Sequence, residues 1–353
     1  MGSVEGIYSK NINEVFYYNA NLADAVGNIN NGGDTRPFYS GTDAGARVNN
    51  TVSNAIVLSN SNKGYFYSTT FKLEYPYQKG FWGSVAYTYS NAQDLLSAGS
   101  IASGSWTGSR SVLGNNNLDL SNSNNNTPHR IVGLLGYKLN YGKNYGGSTS
   151  FNIGYIGEQA GSFTYTYGSD INGDRVNGND LLYVPNNVSE LRFVDITQNV
   201  GGVNQVLYTA AQQAEAFDKY IEQDSYLKGK RGQYVDRNAN ELPMLHRLDL
   251  SVTQDFFLKI KGKKQSFQFR ADILNFTNLL NNDWGVSKRV TNSQILSVRE
   301  APSAANNYTP GLQMAVQTDD TGKRFLTKDT FSNNSSAFDV WQAQFTLRYT
   351  FGK

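Results

Sequence analysis

The sequence predicts an all-β fold, an antiparallel transmembrane β-barrel segment of about eight long strands with long extracellular loops. Three observations carry that prediction. Apolar and polar residues alternate with period two in runs of ten residues or more, about twice the usual soluble strand of five or six. The connections between these runs are short and long in strict alternation. The runs are also rich in aromatic residues, drawn from 23 Tyr, 19 Phe and 4 Trp, as a wall with aromatic girdles at two interfaces requires.

The last run, residues 341–351, states the pattern most clearly. Trp341, Ala343, Phe345, Leu347, Tyr349 and Phe351 alternate with Gln342, Gln344, Thr346, Arg348 and Thr350. A strand crossing a bilayer at a tilt needs about 9–11 residues. Placing Arg348 in lipid would cost roughly 2–4 kcal/mol near the midplane, so Arg348 is expected in the lumen. Trp341, Phe345, Leu347, Tyr349 and Phe351 then face lipid. The same reasoning turns Lys138, Arg247, Asp249, Arg270 and Asp272 toward the lumen, as wall ion pairs or plug contacts.

Other runs repeat the pattern in order. A first, less regular one covers residues 4–18. Tyr65, Tyr67, Phe71, Leu73, Tyr75 and Tyr77 share a face, as do Phe81, Val85, Tyr87 and Tyr89. Ile131, Leu135, Tyr137, Leu139 and Tyr141 form the next. Phe151, Ile153 and Tyr155 start another, expected to continue through Phe163 and Tyr165. Leu248, Leu250, Val252, Phe256 and Leu258 follow, interrupted on the apolar side only by Gln254, and then Phe267, Phe269, Ala271 and Ile273. Tight turns are expected near Lys79, Lys143 and Gly262. Long loops are expected at residues 19–53, 92–126, 166–243 and 281–337. Such order matches outer-membrane barrels, whose periplasmic turns are short and extracellular loops long. A soluble sandwich accounts for alternation in a strand of five, but not for eight aromatic-rich strands of this length.

Composition excludes several functions. No stretch approaches 18 apolar residues and mean hydropathy is −0.49, so a transmembrane helix is excluded; a barrel escapes hydropathy because its lumen-facing residues dilute the lipid-facing ones. A net charge of +2 argues for neither nucleic acid nor a polybasic membrane patch. Without Cys there are no disulfides or thiolate metal sites, and two His leave little room for imidazole chemistry. The first residues, MGSVEGIYSK, carry no basic segment followed by an apolar one. Either the chain is cytoplasmic, or it is a piece of something longer.

Several phrases carry a family resemblance: GNDLLYVP (178–185), FDKYIEQDSYLKGKRGQYVDRN (217–238), LPMLHRLDLSVTQDF (242–256), FRADILNFTNLLN (269–281) and the closing WQAQFTLRYTF. Together with VEGIYSKNINEVFYYNANL (4–22), they resemble the C-terminal barrel half of Oar-like TonB-dependent outer-membrane receptors, patchily from about residue 4 to 351. The resemblance implies a barrel of about 22 strands, with these eight as its last. It also implies an N-terminal plug and TonB box, neither of which lies in these residues. The last strand would be the signal read by the barrel assembly machinery, although Gly352 and Lys353 follow where the family usually ends.

Asp170, Asn172, Asp174 and Asp180 crowd into DINGDRVNGND. Oxygens at positions 1, 3 and 5 with a late carboxylate suit Ca²⁺, a hard cation taking six to eight oxygen ligands, and the stretch resembles dockerin-type loops. It is one residue short of the twelve-residue loop, and Arg175 stands where the sharp turn wants Gly. An Asx/Gly surface turn is the plainer alternative. Residues 209–227 read as a helix inside the 166–243 loop, with Ala210, Ala214, Phe217 and Ile221 on one face. Its role is packing over the barrel mouth, or gripping a ligand. His129 and His246 occupy matching strand-entry positions and are read as structural. No nucleophile elbow, phosphate loop, catalytic carboxylate pair or zinc motif stands out, so an enzyme is not expected.

The function expected is energised import of a bulky solute, a peptide or glycan, across the outer membrane of a Gram-negative cell. The TonB complex would act through a plug outside these residues. The alternatives are a structural or adhesive barrel whose loops bind partners, and a passive porin.

Overall fold

A computed structural model describes residues 1–99, 101–142, 145–159, 161–260 and 263–351. Eight long strands form its wall: β1 (Gly2–Lys10), β2 (Tyr65–Gln78), β3 (Phe81–Asp94), β4 (His129–Gly142), β5 (Tyr145–Gln159), β6 (Met244–Ile260), β7 (Lys263–Leu274) and β8 (Gln342–Thr350). They pair antiparallel in chain order, and the two-residue strand Ser121–Asn122 adds to β3. Among the described residues β1 pairs only with β2, and β8 only with β7. The sheet therefore keeps two open edges.

Register converts the period-two pattern into two continuous faces, because successive side chains in a strand point to opposite sides. One row runs Tyr137–Phe151–Val252–Ala271–Phe345 across five strands. Phe71 opposite Tyr87, and Leu73 opposite Val85, extend this apolar face to β2 and β3. The next row over belongs to the other face and runs Lys138–Ser150–Thr253–Arg270–Thr346. A slip of one residue in any pair would exchange the two faces of that strand, so the pattern holds the register along the whole sheet.

The turn between β2 and β3 is two residues long. Gln78 pairs with Phe81, and Lys79 and Gly80 both take positive φ, 51° and 91°. Two positive φ values define the hairpin turn that matches strand twist. The turns expected near Lys143 and Gly262 fall on residues 143–144 and 261–262, outside the described residues. All four long connectors leave from the opposite end of the sheet: residues 11–64, 95–128, 160–243 and 275–341.

Two expected strands are corrected. The irregular run 4–18 divides into β1 and a separate strand, Glu14–Asn19, that pairs with Ile56–Ser61 inside the first connector. Phe163 and Tyr165 do not prolong β5. Tyr165 is fully buried among the loops, and Phe163 packs against it with ring centroids 5.0 Å apart. Alternation could not separate the two outcomes, because both residues are apolar at the correct spacing.

The main hydrophobic core lies in the connectors and not in the wall. Tyr165, Tyr167, Ile171, Leu182, Phe217, Tyr220, Ile221, Leu227, Leu296 and Leu312 pack there with almost no exposure. Each such side chain contributes about 1.5–3 kcal/mol by leaving water. The expected helix is present as α1 (Ala210–Gln223), followed by α2 (Ser225–Gly229). It begins with a capping box, Thr209 accepting from the Gln212 N–H while the Gln212 side chain accepts from the Thr209 N–H. Gln213, Phe217, Tyr220 and Ile221 form its buried side. No described helix is long and apolar enough to cross a membrane.

Candidate functional site

The four connectors fold into one cap, and three buried polar hubs join them. Arg36, from the first connector, donates to Asp34 (Nε–Oδ1 2.9 Å, Nη2–Oδ2 2.9 Å), to Asp180 Oδ1 at 3.5 Å and to the Leu181 carbonyl at 2.7 Å. The Tyr167 and Tyr234 rings lie 5.1 and 5.3 Å from the guanidinium. Burial works against this charge, but Asp34 and Asp180 outweigh it and raise the Arg36 pKa. A buried guanidinium is tolerated only when paired and hydrogen-bonded in this way.

Arg237 and Asp224 are the other hubs. Arg237 donates from Nη2 to the Asp94 carboxylate and carbonyl, each at 2.6 Å, tying the third connector to the end of β3. Asp224 caps α2 by accepting from the N–H groups of Tyr226 and Leu227. Its other oxygen accepts from Tyr165 Oη at 2.7 Å and from Thr330 Oγ1 at 2.8 Å, reaching into the fourth connector. The sequence reading passed over Arg36, Arg237 and Asp224. The contacts that join connectors, Arg36 to Asp180, Arg237 to Asp94 and Asp224 to Thr330, are remote in sequence, and no local spacing marks them.

The loop 170–180 sits at the centre of this cap. Ile171, Asn172, Asp174, Asn179 and Asp180 are all buried. Asp170 accepts from the N–H of Gly173 (2.6 Å) and of Arg175 (2.9 Å), Asn172 from the N–H of Asp174 (2.9 Å), and Asp174 from the N–H of Val176 (2.9 Å). Arg175 takes φ 71° and pairs with Asp43 at 2.5 Å. Asp180 turns away, accepting from the Ile171 N–H at 3.2 Å and facing Arg36. Burial, with the Asp170 charge second, pushes the Asp174 carboxyl up to about 7. Burial likewise holds the carboxyls of Asp180 and Asp170 above their usual range. Among the described residues no three Asp, Glu, His or Cys side chains converge on a single metal position.

On the wall, Lys138, Arg247, Asp249, Arg270, Asp272 and Arg348 all fall on the polar face by register. Arg270 and Asp272 pair at 2.8 Å, and Asp249 accepts from the Asn275 N–H at 2.7 Å. Phe345, Leu347 and Tyr349 share the opposite face. The Phe345 ring stacks on Phe269 at 6.1 Å, and Tyr349 meets Phe351 at 4.7 Å. Trp341 stands just ahead of β8, its backbone N–H donating to Asn278 Oδ1 at 3.2 Å. His129 and His246 are placed alike. Each Nδ1 lies within hydrogen-bond distance of a tyrosine hydroxyl on the preceding strand, Tyr87 at 2.8 Å and Tyr155 at 2.6 Å.

Two recesses in the cap have the size of a small-molecule or short-chain site. One, of about 640 Å³, separates α1 from residues 323–329 and is lined by Tyr208, Glu215, Lys219, Tyr220, Arg324 and Phe325. The other, of about 530 Å³, lies between Gln223, Tyr226, Asn240, Met244 and Phe331.

An antiparallel wall with one continuous apolar face, one charged face and all its long connectors at one end defines a membrane β-barrel. Residues 4–352 match the family of the outer membrane beta barrel domain, and the chain belongs to that family. It is an outer-membrane protein. No curated protein and no solved structure matches the chain.

Proposed function

We propose that these eight strands are part of the wall of a TonB-dependent receptor that imports a bulky solute, a peptide or a glycan. The observation that carries this reading is the pair of open edges, among the described residues, on a wall whose one face is predominantly apolar. Unpaired backbone groups are not tolerated in hydrocarbon, so further strands must complete the ring. A ring of eight leaves an interior just wide enough for side chains, whereas one of about 22 strands holds a plug. The phrases shared with Oar-like receptors favour the wider ring. Lys138, Arg247, Asp249, Arg270, Asp272 and Arg348 then line the lumen, and Trp341, Phe345, Leu347, Tyr349 and Phe351 face lipid and form the terminal assembly signal. The two cap recesses are where the solute first binds. No enzymatic step is assigned to them.

A second reading is an adhesive barrel whose loops bind partners and whose lumen never conducts. The size and rigid packing of the cap favour it. The mass of the native polypeptide in isolated outer membranes, detected by an antibody against residues 212–238, separates the two. A band well above 39.1 kDa, with uptake abolished when TonB is removed, is expected for the receptor. A band at the mass of this chain alone eliminates coupled import.

A further inference from the structure

We propose that the recess between α1 and residues 323–329 takes an acidic peptide in extended form, paired along the free edge of the strand Arg324–Leu326. This deepens the reading above and rests on it, since it takes a cap recess as the place where the solute first binds and chooses peptide over glycan.

The free edge follows from the register of a short hairpin. Val316–Thr318 pairs antiparallel with Arg324–Leu326, Gln317 facing Phe325. The Asp319 N–H donates to the Lys323 carbonyl at 3.0 Å, and the Thr327 N–H to the Ala315 carbonyl at 3.1 Å. Lys323 and Thr327 thus sit in hydrogen-bonded pairs, and by the alternation of an antiparallel ladder so does Phe325. Arg324 and Leu326 fall between them, so their N–H and C=O groups point away from Val316–Thr318. The Arg324 carbonyl shows the direction, for it accepts from Tyr208 Oη at 2.9 Å, and Tyr208 lines the recess. The Leu326 groups point the same way, and among the described residues no further strand pairs with this edge. The Leu326 side chain is 8% exposed and packs in the cap core, which holds the edge in place.

An open edge is a template for one more strand. Across the recess stands α1, whose own main-chain groups are satisfied within the helix, and the space between is about 640 Å³. The pairing groups on offer are therefore those of the strand. A peptide carries N–H and C=O groups at the strand repeat and can answer them. Sugar hydroxyls have no such repeat. That difference selects peptide.

Charge selects its side chains. Lys219, Lys323, Arg324 and Lys328 line the recess against Glu215 and Asp329, four cations to two carboxylates. Glu215 is already paired with Lys219. Lys323, Arg324 and Lys328 are exposed and enter no ion pair among the described residues; Lys328 Nζ lies 5.9 Å from the Phe325 ring centroid instead. Arg324 and Lys328 flank Leu326 on one side of the period-two alternation. Acidic residues at alternate positions of a paired peptide would lie opposite them, as favourable cross-strand pairs.

The test uses the protein purified from outer membranes in detergent, and fluorescein-labelled octapeptides followed by anisotropy. A peptide alternating Glu and Val should bind, and its Lys and Val counterpart should not. Two further Glu–Val peptides, N-methylated at the Val or at the Glu positions, keep the charge but lose the donors of one edge. One of them should bind about tenfold more weakly. The double variant Arg324→Glu, Lys328→Glu should also lose about tenfold or more. Should that variant fail to fold, the methylated peptides on the wild-type protein decide. The site is overturned if the Glu–Val peptide does not bind, if both methylated peptides bind as well as the parent, or if a folded double variant binds unchanged. An oligogalacturonate of equal charge that displaces the peptide and binds more tightly would give the recess to a glycan, and the cations would then only guard the edge against aggregation. Binding in detergent needs neither TonB nor a complete lumen. Failure here thus leaves coupled import standing, and loss of coupled import leaves this site standing.

Discussion

The wall and the cap bury opposite things. In the wall, Phe345 and Leu347 are 70% and 67% exposed, whereas in the cap Phe217 and Ile221 are 0% exposed. In the wall the apolar residues point outward as one sheet-wide face, a surface far beyond what a soluble monomer leaves uncovered. In the cap they point inward, and charged side chains such as Arg36 and Asp180 are drawn into the interior with partners. One chain thus solves two solvent problems. Strands that meet hydrocarbon need every backbone group paired but no core of their own, while connectors in water need a core and buried hubs to stay folded.

The sharpest break in that comparison is Arg36→Ala. It leaves Asp34 and Asp180 buried without their cation, and removing one partner of such a pair costs about 3–5 kcal/mol. Hydrogen exchange should accelerate through residues 20–40 and 165–185, while the strands keep their protection and the heat-modifiable band on gels is unchanged. Loss of the wall together with the cap would mean that the two regions fold as one unit. Leu347→Arg probes the other side. A cation on the apolar face near mid-strand should cost about 2–4 kcal/mol, whereas Thr346→Arg on the polar face should change little. Folding titrations into lipid vesicles would compare the pair, and equal effects would refute the assignment of faces.

Nearly all of the wall could be read from the sequence, and very little of the cap. Alternation is a local property, so Phe269, Ala271 and Ile273 declare a face whatever lies elsewhere in the chain. Phe163 and Tyr165 fit the same rule yet belong to the cap, because spacing does not say where a strand stops leaning on its neighbour. The hubs were invisible for a related reason. Arg36 meets Asp180 across 144 positions and Arg237 meets Asp94 across 143, and nothing near either arginine marks it as buried. The 170–180 loop lies between these extremes. Its Asx turns are local and can be read from the sequence, but the diversion of Asp180 to Arg36 depends on the tertiary fold.

A smaller prediction tests how tightly the wall itself is packed. Gly136 on β4 lies directly beneath the Trp82 ring of β3, and a Cβ there would collide with it. Gly136→Ala should cost about 1–3 kcal/mol by overpacking and shift the Trp82 fluorescence, with the cap unaffected. An unchanged spectrum and stability would mean that this stretch of wall yields easily.

The smallest effect separates the stability of an element from that of the region holding it. Thr209 opens α1 through its capping box, and Thr209→Ala removes the acceptor for the Gln212 N–H at a cost of about 1 kcal/mol. Phe217, Tyr220 and Ile221 anchor the helix further along its buried side, so the cap should remain assembled. Only the first turn should fray, seen as faster hydrogen exchange confined to residues 210–213. If exchange instead rises across the whole of 210–223, then the core contacts do not hold α1 by themselves. The cap would then depend on its helix cap as much as on its buried hubs, and the contrast with the wall, where no single local bond is decisive, would become sharper.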